Sequence, residues 1–357
     1  PRLLVKGEFA YTQDHMPMPA RGLSMAKRLN LIRCGWEMAR GRTQLRSMPP
    51  ILQIEPTNHC NLKCPLCPTG LGSKARRQGT MSWELFEHIL DETAPTLIGV
   101  ILYGWGEPFL HPELTRMIAE CTRRGLVTNT STNGHFLQTL DEALAVVDAD
   151  LTTLVIALDG STQEVYESYR RGGDIEKVKR CAAMIEEAKR RRNSPRPYTN
   201  VRAVVTRENE HDLENLRKLA VDLGVNMFSY KSVGCLTIAP EYAKYETQEH
   251  GMQRFEQHTG EREVRCPFAF RQPTIYWDGS VVGCEFDYVP QASWGRAGER
   301  SFKEIWNGDR AVRMRRGILG REARPAFCDG CPYRDKGQEH IVLYSEELKP
   351  PRRQNDR

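Results

Sequence analysis

From residue 51 onward, short apolar runs alternate with amphipathic stretches. Residues 51–54 read as a strand, and residues 83–93 read as a helix with Ser82 as its N-cap. The alternation continues with strands at 97–103, 127–132, 154–158, 201–206 and 226–231. Helices at 113–124, 139–147, 175–191 and 211–223 lie between them, the first opened by Pro112. Strand followed by helix, repeated six times with the last helix poorly patterned, predicts an α/β fold with a parallel sheet. Such a sheet is either open and doubly wound or curled into a full or partial barrel. Upstream, residues 1–20 lack a period and read as an arm. Residues 21–46 read as a basic helix with Leu23, Ala26, Leu29, Trp36 and Met38 on and near one face, stopped by Pro49-Pro50. Beyond residue 260 the pattern changes. Asp278-Gly279 joins two short strands as a hairpin, residues 302–318 read as a helix, and the charged tail from Pro350 reads as loose.

A chain of 357 residues can bury a core without disulfide staples, and no apolar run is long enough to span a membrane. No signal peptide is evident, so a cytoplasmic location is expected. The net charge of +5 is unevenly distributed. Residues 1–50 carry nine basic and three acidic side chains, residues 301–357 carry thirteen and nine, and the middle is mildly acidic. Basic and acidic residues are interspersed, without the dense basic face of a nucleic-acid binder. Eleven cysteines without a secretion signal argue for metal or catalytic use.

Three of these, Cys60, Cys64 and Cys67, fall within eight residues just after the first strand. Three thiolates can hold three corners of a cube-shaped iron–sulfur cluster, leaving one iron without a protein ligand. Zinc is the other reading, although structural zinc takes four protein ligands. The C-x3-C-x2-C spacing after a first βα strand resembles the radical S-adenosylmethionine (SAM) superfamily. Tyr103-Gly104-Trp105-Gly106-Glu107-Pro108, Ser131-Thr132-Asn133-Gly134, Leu158-Asp159-Gly160 and Arg170 follow in the order expected of that family. Each motif ends or follows a strand, where parallel α/β folds place ligands. The resemblance implies a partial (β/α)6 barrel whose [4Fe–4S] cluster chelates S-adenosyl-L-methionine and yields a hydrogen-abstracting 5′-deoxyadenosyl radical. It further implies that Gly106 and Glu107 offer backbone to the methionine amine, with Asn133 also at the cofactor. Asp159 would lie near the ribose, and Arg170 would pair with the methionine carboxylate. Two positions depart from the family: Leu66 stands where an aromatic residue is common, and Trp105 replaces a glycine. The Trp105 indole either shapes the substrate pocket or fills core.

Cys266, Cys284, Cys328 and Cys331, with Asp278-Gly279 and the segment 302–306, resemble the C-terminal extension called SPASM in its shortened twitch form. The resemblance implies a second, fully ligated [4Fe–4S] cluster, zinc being the alternative. Expected units are an N-terminal arm and basic helix (1–48), the partial barrel (49–235), the auxiliary-cluster domain (236–340) and a tail (341–357). Cys235 near the end of the sixth strand is a candidate hydrogen donor, whereas Cys34, Cys121 and Cys181 read as idle helical thiols. The arrangement is similar to aminocyclitol dehydrogenases of aminoglycoside pathways. It implies oxidation of an alcohol to a ketone on a small polyol or amino sugar, with Glu55, Glu285 and Asp287 as contacts for a cationic substrate. Epimerisation through Cys235 and modification of a ribosomal peptide are the alternatives. A non-catalytic iron–sulfur or zinc protein is a third reading. The basic ends suit an acidic flavodoxin or ferredoxin as electron donor; no nucleic-acid or membrane partner is expected.

Overall fold

The computed structural model describes residues 2–234, 242–253, 266–328, 331 and 342–348. Cys235 lies outside the described residues. Element order is β1 (Phe9–Gln13), β2 (Met16–Ala20), α1 (Met25–Ala39), β3 (Ile51–Ile54), α2 (Trp83–Thr93), β4 (Gly99–Ile101), α3 (Leu114–Arg123), β5 (Val127–Thr132) and α4 (Leu140–Asp148). There follow β6 (Thr153–Ala157), α5 (Gln163–Tyr169), α6 (Ile175–Arg192), β7 (Tyr198–Val205), α7 (Leu213–Asp222) and β8 (Met227–Ser232). The remainder comprises α8 (Tyr242–Tyr245), α9 (Phe268–Arg271), β9 (Thr274–Ile275), β10 (Ser280–Val282), β11 (Gly295–Arg296), α10 (Phe302–Trp306), α11 (Asp309–Ile318) and β12 (Val342–Glu347).

Strands β3 to β8 pair in sequence order and in parallel, forming the six-stranded partial barrel that the strand–helix alternation predicts. Both sheet edges are extended. On one side β9 joins β3 in parallel and leads into β10 and β11; on the other, β12 runs antiparallel to β8. Helices α2, α3, α4 and α6 press Phe86, Ile118, Val146 and Ile185 onto the outer face of the barrel, against Leu52, Val100, Leu154 and Ile156. No helix among the described residues is long and apolar enough to cross a membrane.

The two ends differ from the expectation. Residues 1–20, read as an arm, contain the hairpin β1–β2, whose Met16 and Met18 are fully buried. Pro17 and Pro19 occupy this edge hairpin, which tolerates proline, and Pro-rich composition hid the alternation. Its turn puts Asp14 and His15 at φ 49° and 63°, the left-handed pair that a two-residue hairpin requires. The tail supplies β12 as a tenth strand, and the predicted helix 302–318 is broken at Asn307-Gly308 into α10 and α11.

The basic helix α1 is turned over relative to the sequence reading. Its inward residues are Lys27, Asn30, Cys34 and Glu37, whereas Leu29 and Trp36 face outward. The inward polar groups close backbone ends beneath the barrel. Lys27 Nζ donates to the carbonyls of Arg124 and Gly125 at the end of α3 (3.4 and 3.1 Å), and Asn30 brackets both backbone groups of Met48 at 2.9 Å. Glu37 accepts from the amides of Arg46 and Ser47 at 2.8 and 3.1 Å. Satisfying these buried donors and acceptors outweighs hiding the apolar stripe.

Candidate functional site

The loop after β3 carries Cys60, Cys64 and Cys67. It returns tightly on itself: Cys67 N donates to Cys64 O, and a Cβ at Gly70 would lie 2.5 Å from the Cys64 backbone, so only glycine fits. Burial pushes the Cys60 thiol up to about 12, with the charges of Glu107, Cys64 and Cys67 adding to the rise. The three sulfurs therefore share one neighbourhood. Two donors face it, Asn133 Nδ2 at 3.9 Å from Cys60 Sγ and Arg170 Nη1 at 3.9 Å from Cys64 Sγ. Among the described residues no group of three such side chains is closed around a single ion. A cube-shaped cluster places its thiolates at separate corners instead, and the fixed donors offer hydrogen bonds suited to thiolate sulfur.

The β4 loop is clamped against this segment. A Cβ on Gly106 would meet Thr57 O at 2.3 Å and His59 O at 2.7 Å, and Glu107 N donates to His59 O at 2.8 Å. The Glu107 carboxylate turns inward and accepts from Asn133 N (2.7 Å), Thr132 Oγ1 (2.9 Å) and Phe109 N (3.2 Å). It ties the ends of β4 and β5 together, and burial lifts its pKa to about 7. At the end of β6, Asp159 is fully buried, ion-paired with Arg170 and accepting from Val204 N at 2.5 Å. The sequence leaves Asp159 as a ribose contact; here its carboxylate anchors Arg170 beside Cys64.

Trp105 leaves the barrel. Its Nε1 donates to Glu285 O at 3.0 Å, and its ring packs edge-on against Phe286 and Tyr288. It thus grips the loop just after Cys284. Glu55 and Asp287, read as substrate contacts, are engaged internally. Glu55 pairs with Arg76, which lies over the Tyr276 ring at 3.8 Å; Asp287 accepts from the amides of Gln291 and Ala292. Glu285 remains at the cavity wall and accepts from Gln53 Nε2 at 2.6 Å. Trp105→Phe keeps an aromatic ring, smaller than the indole, but loses the N–H donor to Glu285 O. The expected cost is about 1 kcal/mol in chemical denaturation, with iron content unchanged.

The second set converges as well. Burial pushes Cys266 up to about 11, with Cys331 contributing, and raises Cys284 strongly, with Cys266 and Cys331 contributing. Cys331 N donates to Cys328 O, so those two share one turn. Cys34, Cys121 and Cys181 are separate and buried; Cys34 Sγ donates to Phe270 O at 3.6 Å.

Between the two sets lies a cavity of about 220 Å³. Leu66, Trp105 and Tyr169 bound it from the first cysteine loop and its motifs, and Phe268, Glu285 and Phe286 from the second domain. Gln13 and Asp14 also line it. These come from the N-terminal hairpin, and Asp14 pairs with Arg202 of β7 at 3.2 Å. Sequence reading missed Gln13, Asp14, Gln53 and Arg202. A signal existed: parallel strands covered on both faces read as continuously apolar, yet polar residues recur at Asn200 and Arg202 in β7 and at Ser229 and Lys231 in β8.

Residues 54–220 match the radical SAM superfamily, and residues 266–332 match the SPASM iron–sulfur cluster-binding domain. The chain is 28% identical to the tungsten-containing aldehyde ferredoxin oxidoreductase cofactor-modifying protein of Pyrococcus furiosus, over 80% of this chain and 87% of that one. It is 25% identical to a PqqA peptide cyclase of Bradyrhizobium diazoefficiens, over 55% of this chain and half of that one. The structure of Streptococcus suis SuiB bound to S-adenosylmethionine superposes with a TM-score of 0.62 at 16% identity, covering 88% of this chain and 76% of that one. The two cysteine sets, the motif order and the barrel agree with these matches: the chain carries a radical SAM domain followed by a SPASM domain, and with them takes S-adenosyl-L-methionine, a [4Fe–4S] cluster and auxiliary iron–sulfur.

Proposed function

We propose that this enzyme oxidises an unactivated C–H position of a substrate seated between the two cysteine sets, and that the substrate is a side chain of a peptide. The observation that carries the reading is the shared cavity, walled on one side by Trp105 and Tyr169 and on the other by Phe268 and Phe286. In this reading Cys60, Cys64 and Cys67 hold the first cluster, and Cys266, Cys284, Cys328 and Cys331 hold the auxiliary one. When bound, the first cluster and S-adenosylmethionine would supply a 5′-deoxyadenosyl radical. Arg170, held by Asp159, would pair with the methionine carboxylate, and Gly106 and Glu107 would offer backbone to the methionine amine. Asn133 donates toward Cys60. The aromatic walls exclude water from the reacting position.

The peptide substrate is supported by the relative named for acting on the PqqA peptide, although the match spans only about half of that protein. A small-molecule substrate is the second reading, favoured by the relative that modifies a cofactor and matches over most of both chains. A cationic amino sugar has less electrostatic support, because Glu55 and Asp287 are used inside the protein. Epimerisation through Cys235 is the remaining alternative.

Anaerobic incubation with S-adenosylmethionine, a reductant and candidate peptides, read by mass spectrometry, should give 5′-deoxyadenosine and a product two hydrogens lighter. An unchanged peptide beside an oxidised small molecule would overturn the peptide assignment. Reconstituted protein should hold about eight irons per chain, falling to about four in Cys60→Ala/Cys64→Ala/Cys67→Ala. Iron retained near the wild-type level in that variant would overturn the ligand assignment.

A further inference from the structure

Helix α1 shows solvent an apolar stripe and hides a polar one. Met25, Leu29, Ile32 and Trp36 are 56, 54, 43 and 50% exposed, at the spacing of one helical face. Leu4 and Val5 add exposed apolar surface nearby, where Arg28 Nη1 donates to Leu4 O. Nothing among the described residues covers this face. Its margin is cationic. Residues 2–46 expose seven Lys or Arg side chains and no fully exposed carboxylate, and the Arg40 and Arg42 guanidinium groups lie 5.7 and 5.8 Å from the Trp36 ring centre. Contiguous apolar surface rimmed by charge marks an interaction site.

The opposite side of the same helix rests on the second domain. Cys34 Sγ donates to Phe270 O, α1 packs on α9, and α9 begins two residues after Cys266. Arg315 Nη1 also donates to Thr43 O just beyond α1, while its Nε donates to Ala269 O. A partner seated on α1 is therefore separated from the second cysteine set by one helix layer.

We propose that the exposed face of α1 docks an acidic one-electron carrier of the flavodoxin or ferredoxin class, which takes the electron released by substrate oxidation. This rests on the oxidation proposed above. Loss of two hydrogens from the substrate is one hydrogen atom to the radical, one proton to solvent and one electron that must leave the protein; the oxidised carrier is its acceptor. Charge selects the occupant. A second copy of this chain would bring like charges together across a two-fold contact. An interfacial membrane helix sinks its apolar face into the lipid boundary, whereas these side chains keep about half of their surface against their own fold. A small carrier with a carboxylate ring around an apolar centre matches both features, and such contacts are small and salt-sensitive.

The test is calorimetric binding of an oxidised acidic flavodoxin to the reconstituted enzyme. Binding should weaken about tenfold or more in Leu29→Ser/Ile32→Ser/Trp36→Ser and in Arg33→Glu/Arg40→Glu/Arg42→Glu, and should fall with added salt. All six positions are on the surface, so circular dichroism should show the native helix content; the serine variant, whose native side chains are half buried, should melt lower, and affinities are compared well below that transition. Equal affinity in wild type and both variants would overturn the proposal. So would a concentration-dependent dimer abolished by the same substitutions, or sedimentation with phosphatidylglycerol vesicles without flavodoxin binding. Dithionite-driven formation of 5′-deoxyadenosine does not involve this electron acceptor. Its absence in wild type would overturn the proposed reaction while leaving the docking result to stand on the binding data.

Discussion

Gly106→Ala is expected to abolish cofactor-dependent activity while leaving most of the barrel folded. The added Cβ would lie 2.3 Å from Thr57 O, 2.7 Å from His59 O and 2.8 Å from Asn58 Cα. All three are backbone atoms, so no side chain can swing aside. Either the β4 loop lifts or the segment before Cys60 moves. In both cases the bond from Glu107 N to His59 O is lost, and with it the register between the Gly-Glu loop and the cysteine loop. Overpacking of this kind costs about 1–3 kcal/mol, a visible but tolerable share of global stability. The effect on the site should be larger, because a shift of about 1 Å in positioning groups can cost about a hundredfold in rate. The informative comparison is Gly104→Ala, whose Cβ would meet the Cβ and Cγ of Glu55 at 2.9 Å: it too is overpacked, but against a side chain just after β3 rather than the backbone before Cys60. Iron content, S-adenosylmethionine binding and 5′-deoxyadenosine yield should separate the two variants. Normal cofactor binding in Gly106→Ala would show that the clamp between the two loops is dispensable.

The barrel was legible because its strands are buried on both faces and its helices are amphipathic, so periodicity and burial coincide. The cofactor motifs were legible because most follow a strand closely, and chain order alone lines them up. What escaped the sequence shares one cause, polar residues used inside the protein. Glu55 and Asp287 look like ligand contacts as isolated acids; only the fold brings Arg76, lying over Tyr276, to the first and the amides of Gln291 and Ala292 to the second. Helix α1 escaped in the opposite sense. Its apolar positions fit an inward face, but Lys27, Asn30 and Glu37 are needed beneath the barrel to close the end of α3 and the chain before β3. The hairpin β1–β2 escaped because a two-residue turn of Asp14-His15 carries no glycine. Its stability rests partly on a distant residue, Arg202, which no local window contains.

Breaking the Asp159–Arg170 pair should produce the largest loss of stability of any single substitution at the site. Asp159 has no exposed surface, and its second oxygen is taken by Val204 N, so it cannot be replaced by water. Removing one partner of a buried ion pair leaves the other charge unpaired, at about 3–5 kcal/mol. Asp159→Ala is therefore expected to lower the unfolding free energy by that amount in chemical denaturation, and Asp159→Asn by less, since the amide oxygen can still accept from Val204. Arg170→Lys separates positioning from charge. The guanidinium spans two directions, Nε toward Asp159 and Nη1 toward Cys64 Sγ. An ammonium is a single point and cannot serve both. Arg170→Lys should then retain more stability than Asp159→Ala, yet bind S-adenosylmethionine more weakly in equilibrium dialysis. If the lysine variant bound the cofactor as well as wild type, the site would need only a positive charge there, and Asp159 would be bracing the fold rather than aiming a guanidinium.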